Sequence, residues 1–142
     1  MKNNFGIKAA LVLFIALLLS SCFLQPDFPN SFDKTRWTAQ EIDMSFDVKE
    51  DQEATGVWRI GTKEIYILVD FTYSGEILCY PSEDNDKTVL ANLPLDENGL
   101  LLFCSMVDIS SESFRLINFD EREQTLLPDD VTEVTFIRED IE

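Results

Sequence analysis

Glu64-Ile-Tyr-Ile-Leu-Val-Asp-Phe-Thr-Tyr73 is the stretch that decides the fold. It is rich in β-branched and aromatic residues, which fit a pleated and partly buried surface. The odd-numbered residues from Ile65 onward share one face of an extended chain, and Tyr66, Leu68 and Asp70 share the other. This alternation at period two predicts a β-strand at the centre of a sheet.

Turn signals on both sides of this stretch predict that it pairs with strands before and after it. Gly61-Thr62 separates it from Val57-Trp58-Arg59-Ile60 and is typical of a two-residue hairpin turn. Ser74-Gly75 turns the chain into residues 76–80, and Pro81 ends that strand because it cannot donate a hydrogen bond.

The rest of the chain continues this pattern of short strands. In residues 37–48 we expect the even-numbered side chains, from Thr38 to Val48, to face the core for most of one strand. The absence of a long stripe of period 3.6 after Cys22 predicts an all-β domain, either a meander barrel or a two-sheet sandwich. About eight antiparallel strands are expected, over residues 37–48, 57–60, 64–73, 76–80, 87–93, 100–106, 113–119 and 131–137.

The beginning of the chain has the order of a secretory signal. Lys2 and Lys8 precede an unbroken apolar run over residues 9–19, and Ser20 and Ser21 precede Cys22. The run is shorter than the roughly 20 apolar residues of a membrane-spanning helix. We therefore expect it to be removed after export.

Leu19-Ser20-Ser21-Cys22 resembles the lipobox of bacterial lipoproteins. The resemblance implies cleavage between Ser21 and Cys22, a diacylglycerol on the Cys22 sulfur and an acyl chain on its new amino group. Two or three chains hold a protein on a membrane far longer than one. The domains expected are a signal peptide over 1–21, a lipidated tether over 22–34 and an all-β domain over 35–142. The protein would lie in the cell envelope on the extracytoplasmic side, on the outer membrane if the organism has two.

The charge of the chain excludes one class of partner and favours another. The formal net charge is −16, and removing Lys2 and Lys8 with the signal would make it −18 because residues 1–21 hold no acidic residue. Such a field repels phosphate backbones, so nucleic acid binding is excluded. It attracts cations, either a basic protein or a metal ion, although acidic residues scattered over a solvated face are the commoner explanation.

The residues that most often carry catalysis are missing or lack a recognisable arrangement. The chain has no histidine, the usual general base near neutral pH and the commonest transition-metal ligand. Acidic groups that could hold calcium lack the spacing of a calcium loop, and a solvated loop or turn explains them better. We therefore predict that the protein is not an enzyme and has no catalytic residue, cofactor or metal. The weak candidates for metal ligands are Glu83, Asp84-Asn85-Asp86, Asp120-Glu121 and Asp129-Asp130.

Two cysteines remain once Cys22 is assigned to lipid, and they leave two alternatives open. A disulfide needs Cα atoms within about 7 Å. If residues 87–93 form a strand between those of Cys79 and Cys104, the bridge is strained and both are small buried apolar groups. If that segment lies elsewhere, the two strands can be neighbours and the bridge can form.

A second resemblance concerns the domain. Trp37 near the start of the first strand, the eight short strands and a last strand ending Thr135-Phe-Ile-Arg138 are similar to the small lipocalin-like domains of bacterial lipoproteins. The resemblance implies a barrel with an apolar ligand inside. Aromatic residues such as Trp58, Tyr66, Tyr80 and Phe103 would line that cavity or simply fill a core.

Two functions are therefore expected. The first is a monomeric, non-enzymatic binding module, attached to a membrane by lipid, that takes a small apolar ligand. The alternative is an acidic protein-interaction or structural domain that binds a cationic partner, as small barrels that inhibit lysozyme do.

Overall fold

The chain folds into a closed antiparallel β-barrel with meander topology, in which each strand pairs with the next and the last pairs with the first. The computed structural model describes residues 32–49 and 54–140. A barrel, and not a sandwich, is therefore the architecture of the predicted all-β domain. Its eight strands are β1 (Thr35–Ala39), β2 (Asp43–Val48), β3 (Ala54–Ile60), β4 (Lys63–Phe71), β5 (Glu76–Pro81), β6 (Leu102–Val107), β7 (Ser113–Ile117) and β8 (Val134–Asp140).

The stretch that begins at Glu64 forms most of β4, as predicted. Ile65, Ile67 and Val69 are buried and the residues between them are exposed. Gly61 and Thr62 form the tight turn between β3 and β4, where Ile60 pairs with Lys63 and Gly61 has a φ of 62°. Glycine suits that position because it adopts positive φ without a Cβ clash.

Residues 37–48 form two strands, so the prediction of a single strand was wrong. The chain turns at residues 40–42, and the buried side chains change from odd to even numbers across this turn. Trp37 and Ala39 point inward from β1, whereas Met44 and Phe46 point inward from β2. The turn is fixed by β8: the Gln40 amide donates to the Thr135 carbonyl over 2.9 Å.

The strand predicted over residues 87–93 was also wrong, because α1 (Lys87–Ala91) is a short helix. The Asp86 side chain accepts a hydrogen bond from the Thr88 amide and so caps its first turn. As a result no strand separates β5 from β6, which pair directly. The predicted number of eight strands was still right because the two errors cancel. Residues 37–48 contain two strands where one was predicted, and residues 87–91 form a helix where a strand was predicted.

The two ends of the barrel differ in their connections. The upper end, as we call it, carries the turns at residues 40–42 and 61–62 and the two long connections, residues 82–101 and 118–133. The second long connection contains a four-residue helix, α2 (Glu121–Gln124). The lower end carries the turns at residues 72–75 and 108–112, and Phe32 precedes β1 there.

Candidate functional site

The lower half of the barrel is filled by aromatic rings. Phe32 lies 4.6 Å from Trp37 of β1, 5.5 Å from Phe71 of β4 and 5.9 Å from Phe114 of β7, measured between ring centroids. It therefore bridges strands on different sides of the barrel and closes the lower end. Phe46 and Phe136 extend the same cluster. Space for a ligand has to be sought at the other end.

A buried hydrogen-bond chain fixes this aromatic cluster. The Trp37 indole N–H donates to the Thr35 hydroxyl oxygen over 2.8 Å, and that hydroxyl donates to the Phe32 carbonyl. All three residues are at most 1% exposed. A buried indole N–H costs free energy when it has no hydrogen-bond partner. The Thr35 hydroxyl provides that partner for Trp37, and its own hydrogen bond to the Phe32 carbonyl holds Phe32 in the lower end.

The upper end is covered by the connection between β7 and β8. After α2 the chain runs across the barrel opening, and Leu126 and Leu127 are buried in the same hydrophobic core as the strand residues. We call residues 120–128 the strap. The strap was not predicted from the sequence; its signal was the Asp120-x-x-Glu123 capping box followed by two leucines.

Two neighbouring side chains attach the strap to the wall of the barrel. The Arg122 guanidinium donates to the carbonyls of Pro94 and Leu101, over 2.7 and 2.9 Å. The Glu123 carboxylate accepts from the Phe103 amide over 2.8 Å and from the Asp120 amide over 2.9 Å. Glu123 is only 1% exposed, and this burial raises the pKa of its carboxyl against the opposing effect of the two amide hydrogen bonds.

A cavity of about 260 Å³ lies between the strap and the turns at residues 40–42 and 61–62. We call it the mouth cavity. It is somewhat smaller than the roughly 300–1,000 Å³ of a drug-sized ligand site, so it suits a small apolar molecule or the end of a chain. Its apolar walls are the side chains of Ile42, Trp58, Ile60, Leu126, Leu127 and Pro128.

The charged groups at the rim of the mouth cavity are already paired with one another. Arg59 contacts the Asp43 carboxylate at 3.4 Å and the Glu64 carboxylate at 3.0 Å. The Thr125 hydroxyl donates to the Arg122 carbonyl. The lining of the cavity therefore combines apolar side chains with polar groups, among them Asp43, Arg59 and Thr125.

A second, larger groove of about 430 Å³ lies on the outside of β1, β2 and β3. Arg36 and Asp47 form a two-point ion pair in it, with N–O distances of 2.6 and 2.8 Å. The groove lies where the two strands β2 and β3 approach closely: a Cβ on Gly56 would stand 2.1 Å from the Ser45 carbonyl oxygen. Its lining mixes polar and apolar side chains, among them Arg36, Met44 and Val57.

Cys79 and Cys104 are both buried free thiols on the adjacent strands β5 and β6. Cys79 pairs with Leu102 and Cys104 with Ile77, so the two cysteines are diagonal neighbours and not directly opposite. Diagonal positions on paired strands lie about 7–8 Å apart, at or beyond the limit for a disulfide. Burial raises the pKa of both thiols far above the ordinary range.

Three residues of the acidic loop candidates, Asn85, Asp86 and Asp120, have local structural roles. Asn85 is buried, accepts from the Tyr66 amide over 2.8 Å and donates to the Tyr66 carbonyl over 2.7 Å, so its side chain extends the edge of β4. Asp86 caps α1 and Asp120 caps α2. Within residues 32–49 and 54–140, no group of three or more Cys, Asp or Glu side chains is arranged to hold a metal ion.

The four aromatic residues singled out from the sequence separate into two sets. Trp58 is 1% exposed and lines the mouth cavity. Tyr66, Tyr80 and Phe103 point outward from β4, β5 and β6, and Tyr66 and Phe103 are 47% and 45% exposed. For these three, both expectations, cavity lining and core filling, were wrong.

The lipidation and cleavage residues, Cys22 and Ser21, lie outside the described residues. In the part that is described, no helix has the length and apolar character needed to cross a membrane. Comparison of the chain with protein-family models, with curated proteins and with solved structures finds no match.

Proposed function

We propose that this chain is a non-enzymatic binding module, attached by lipid to a membrane of a bacterial envelope, whose ligand is a small apolar group held in the mouth cavity. The observation that carries the proposal is the group of apolar side chains, Trp58, Ile60 and Leu127 among them, in the lining of that cavity, beside a lower half already filled by aromatic rings. The closed eight-stranded barrel is compatible with the lipocalin-like resemblance, which implies an apolar ligand.

Binding is a better proposal for this cavity than catalysis because of the chemistry of its walls. The apolar side chains in its lining, Trp58, Ile60 and Leu127 among them, carry no titratable group. The carboxylates at the rim, those of Asp43 and Glu64, are ion-paired with Arg59. The attachment to a membrane rests on the lipobox resemblance at Leu19 to Cys22.

A fluorescent apolar probe tests the site. Phenylnaphthylamine should bind the protein and brighten, and Ile60→Trp, which fills the mouth cavity, should weaken binding at least about tenfold, or 1.4 kcal/mol. Ile137→Trp is the matched control, since Ile137 lies on the outer face of β8 and is 38% exposed. Equal affinity in the two variants would place the probe elsewhere and contradict the proposal.

The second candidate function is the binding of a cationic partner, which the formal net charge of −16 favours. Such binding weakens as salt screens the charges, whereas apolar ligand binding does not. A titration of each ligand at low and high salt therefore separates the two functions.

A further inference from the structure

The outer face of the barrel carries a continuous apolar stripe across four strands. It is built from three directly opposed cross-strand pairs, Val57 with Tyr66, Leu68 with Tyr80, and Leu78 with Phe103. We call these six residues the outer stripe. Tyr66, Leu68 and Phe103 are each between 43% and 47% exposed.

The outer stripe lies outside the core of the barrel. The core is built by the inward residues of the same strands, such as Trp58, Ile67 and Cys79. Beside the stripe, on β1 and β2, the outward positions are polar, among them Arg36 and Ser45, and Ser45 pairs directly with Val57. Contiguous exposed apolar side chains that include aromatic rings are typical of surfaces that bind other molecules.

Carboxylates border the outer stripe. Asp70 is directly opposite Leu78, and Glu76 is directly opposite Ser105 beside Phe103. At the upper end Glu83 and Asp84 follow β5 and are exposed. Arg59 is the arginine of β3, two residues after Val57. Its guanidinium forms ion pairs with the Asp43 and Glu64 carboxylates.

We infer that the outer stripe binds a cationic, amphipathic polypeptide segment, whose apolar side chains cover the stripe and whose basic side chains meet the bordering carboxylates. This inference deepens the second candidate function and rests on it; it does not depend on the mouth cavity. Charge complementarity selects this occupant. A second copy of the chain or an anionic membrane would repel a protein of net charge −16, and residues 22–31 contain Asp27 but no basic residue.

The test uses the full chain, recovered from an expressing bacterium in nanodiscs of phosphatidylcholine. The probe is a fluorescein-labelled amphipathic helical peptide of leucine and lysine, with a leucine and glutamate peptide as its counterpart. Binding is followed by fluorescence anisotropy. We expect the lysine peptide to bind, the glutamate peptide not to bind, and the affinity to fall several-fold between low and high salt.

The variants distinguish the outer stripe from the general negative field. The double variant Leu68→Thr with Phe103→Thr keeps every charge and should weaken lysine-peptide binding at least about tenfold. Ile137→Thr removes an exposed apolar residue outside the stripe and should leave binding unchanged. Thermal unfolding followed by circular dichroism verifies that all variants are folded.

Two results would overturn the inference. In the first, the double variant binds the lysine peptide as tightly as Ile137→Thr does, which leaves only nonspecific charge attraction. The second result concerns chemical cross-linking between copies of the chain. If the double variant abolishes this cross-linking while its peptide binding is unchanged, the occupant of the outer stripe is a second copy. Neither result affects the probe assay of the mouth cavity, which fails only if the apolar-ligand proposal fails.

Discussion

The carboxylate of Glu123 lies 2.8 Å from the backbone nitrogen of Phe103, to which it is hydrogen-bonded across 20 residues of sequence. This contact occurs just before β6 begins to pair with β7, at Ser105. Glu123 therefore takes the place of a neighbouring strand at that point of β6. It also holds the strap, and with it Leu126 and Leu127, over the upper end of the barrel.

Glu123→Gln should lower the free energy of unfolding by about 1–3 kcal/mol at neutral pH, because a carboxamide has one acceptor oxygen for two amide donors. Chemical denaturation measures this. Glu121→Gln is the control, since Glu121 is exposed in the same helix. Equal stability of the two variants would show that Glu123 does not hold the strap.

The stability difference between the native protein and Glu123→Gln should also depend on pH. The pKa of the Glu123 carboxyl is raised in the folded protein, with burial as the largest cause. A raised pKa contributes stability that is complete below the pKa of the unfolded chain, about 4.3, and is lost as pH rises through the folded pKa. The difference should therefore grow as the pH falls from 7 towards the pKa of the unfolded chain. A difference that shrinks over this interval would contradict the assignment.

Gly56→Ala should destabilise the barrel, because the added Cβ would stand 2.1 Å from the Ser45 carbonyl oxygen and 2.7 Å from the Phe46 Cα. Both are backbone atoms, so the strands β2 and β3 would have to separate. We expect a loss of about 1–3 kcal/mol by denaturation. Thr55→Ala, at the neighbouring outward position, is the control and should cost less. An unchanged free energy of unfolding in Gly56→Ala would contradict this close approach of β2 and β3.

The thiols of Cys79 and Cys104 should be unreactive in the folded protein, since both are buried and their pKa values are raised. Ellman's reagent should label them only after denaturation. Intact mass should be unchanged by a reductant. A gain of about 2 Da on reduction, one hydrogen for each thiol, would reveal the disulfide that diagonal positions disfavour.

Cys22→Ser should release the protein from membranes, because the lipobox resemblance assigns the lipid to the Cys22 sulfur. Membrane fractionation and the intact mass of the mature chain measure this outcome. Ser21→Ala, which keeps a small residue before the cysteine, is the control and should remain attached. A Cys22→Ser chain that stays in the membrane fraction without lipid would rule out the lipobox interpretation.

The parts of the fold that follow from local sequence were predictable. Alternation in β4 and the turn at Gly61 depend on residues adjacent in sequence, and both were predicted correctly. The turn at residues 40–42 has neither glycine nor proline. It is stabilised by distant atoms, including the Thr135 amide, which donates to the Glu41 carboxylate over 2.6 Å. No pattern within residues 37–48 shows that contact.

The error at α1 has a local cause, unlike the one at the turn of residues 40–42. Val89 and Leu90 are compatible with a strand, but the Asp86 side chain caps the chain locally and starts a helix. The mouth cavity could not be predicted, because Ile42, Trp58 and Leu126 come from three separated segments that only barrel closure brings together. The excess of 27 acidic over 11 basic residues predicts a strongly anionic protein, but not that an apolar stripe crosses its outer face.

The measurement that tests the central claim most directly is native mass spectrometry, with solvent extraction, of a chain beginning at Ser31 and purified from an expressing cell without detergent. We expect one small apolar molecule for each protein molecule, retained at high salt and lost in Ile60→Trp. A chain that carries no molecule, or one that Ile60→Trp retains equally well, would contradict the claim that the mouth cavity is a ligand site.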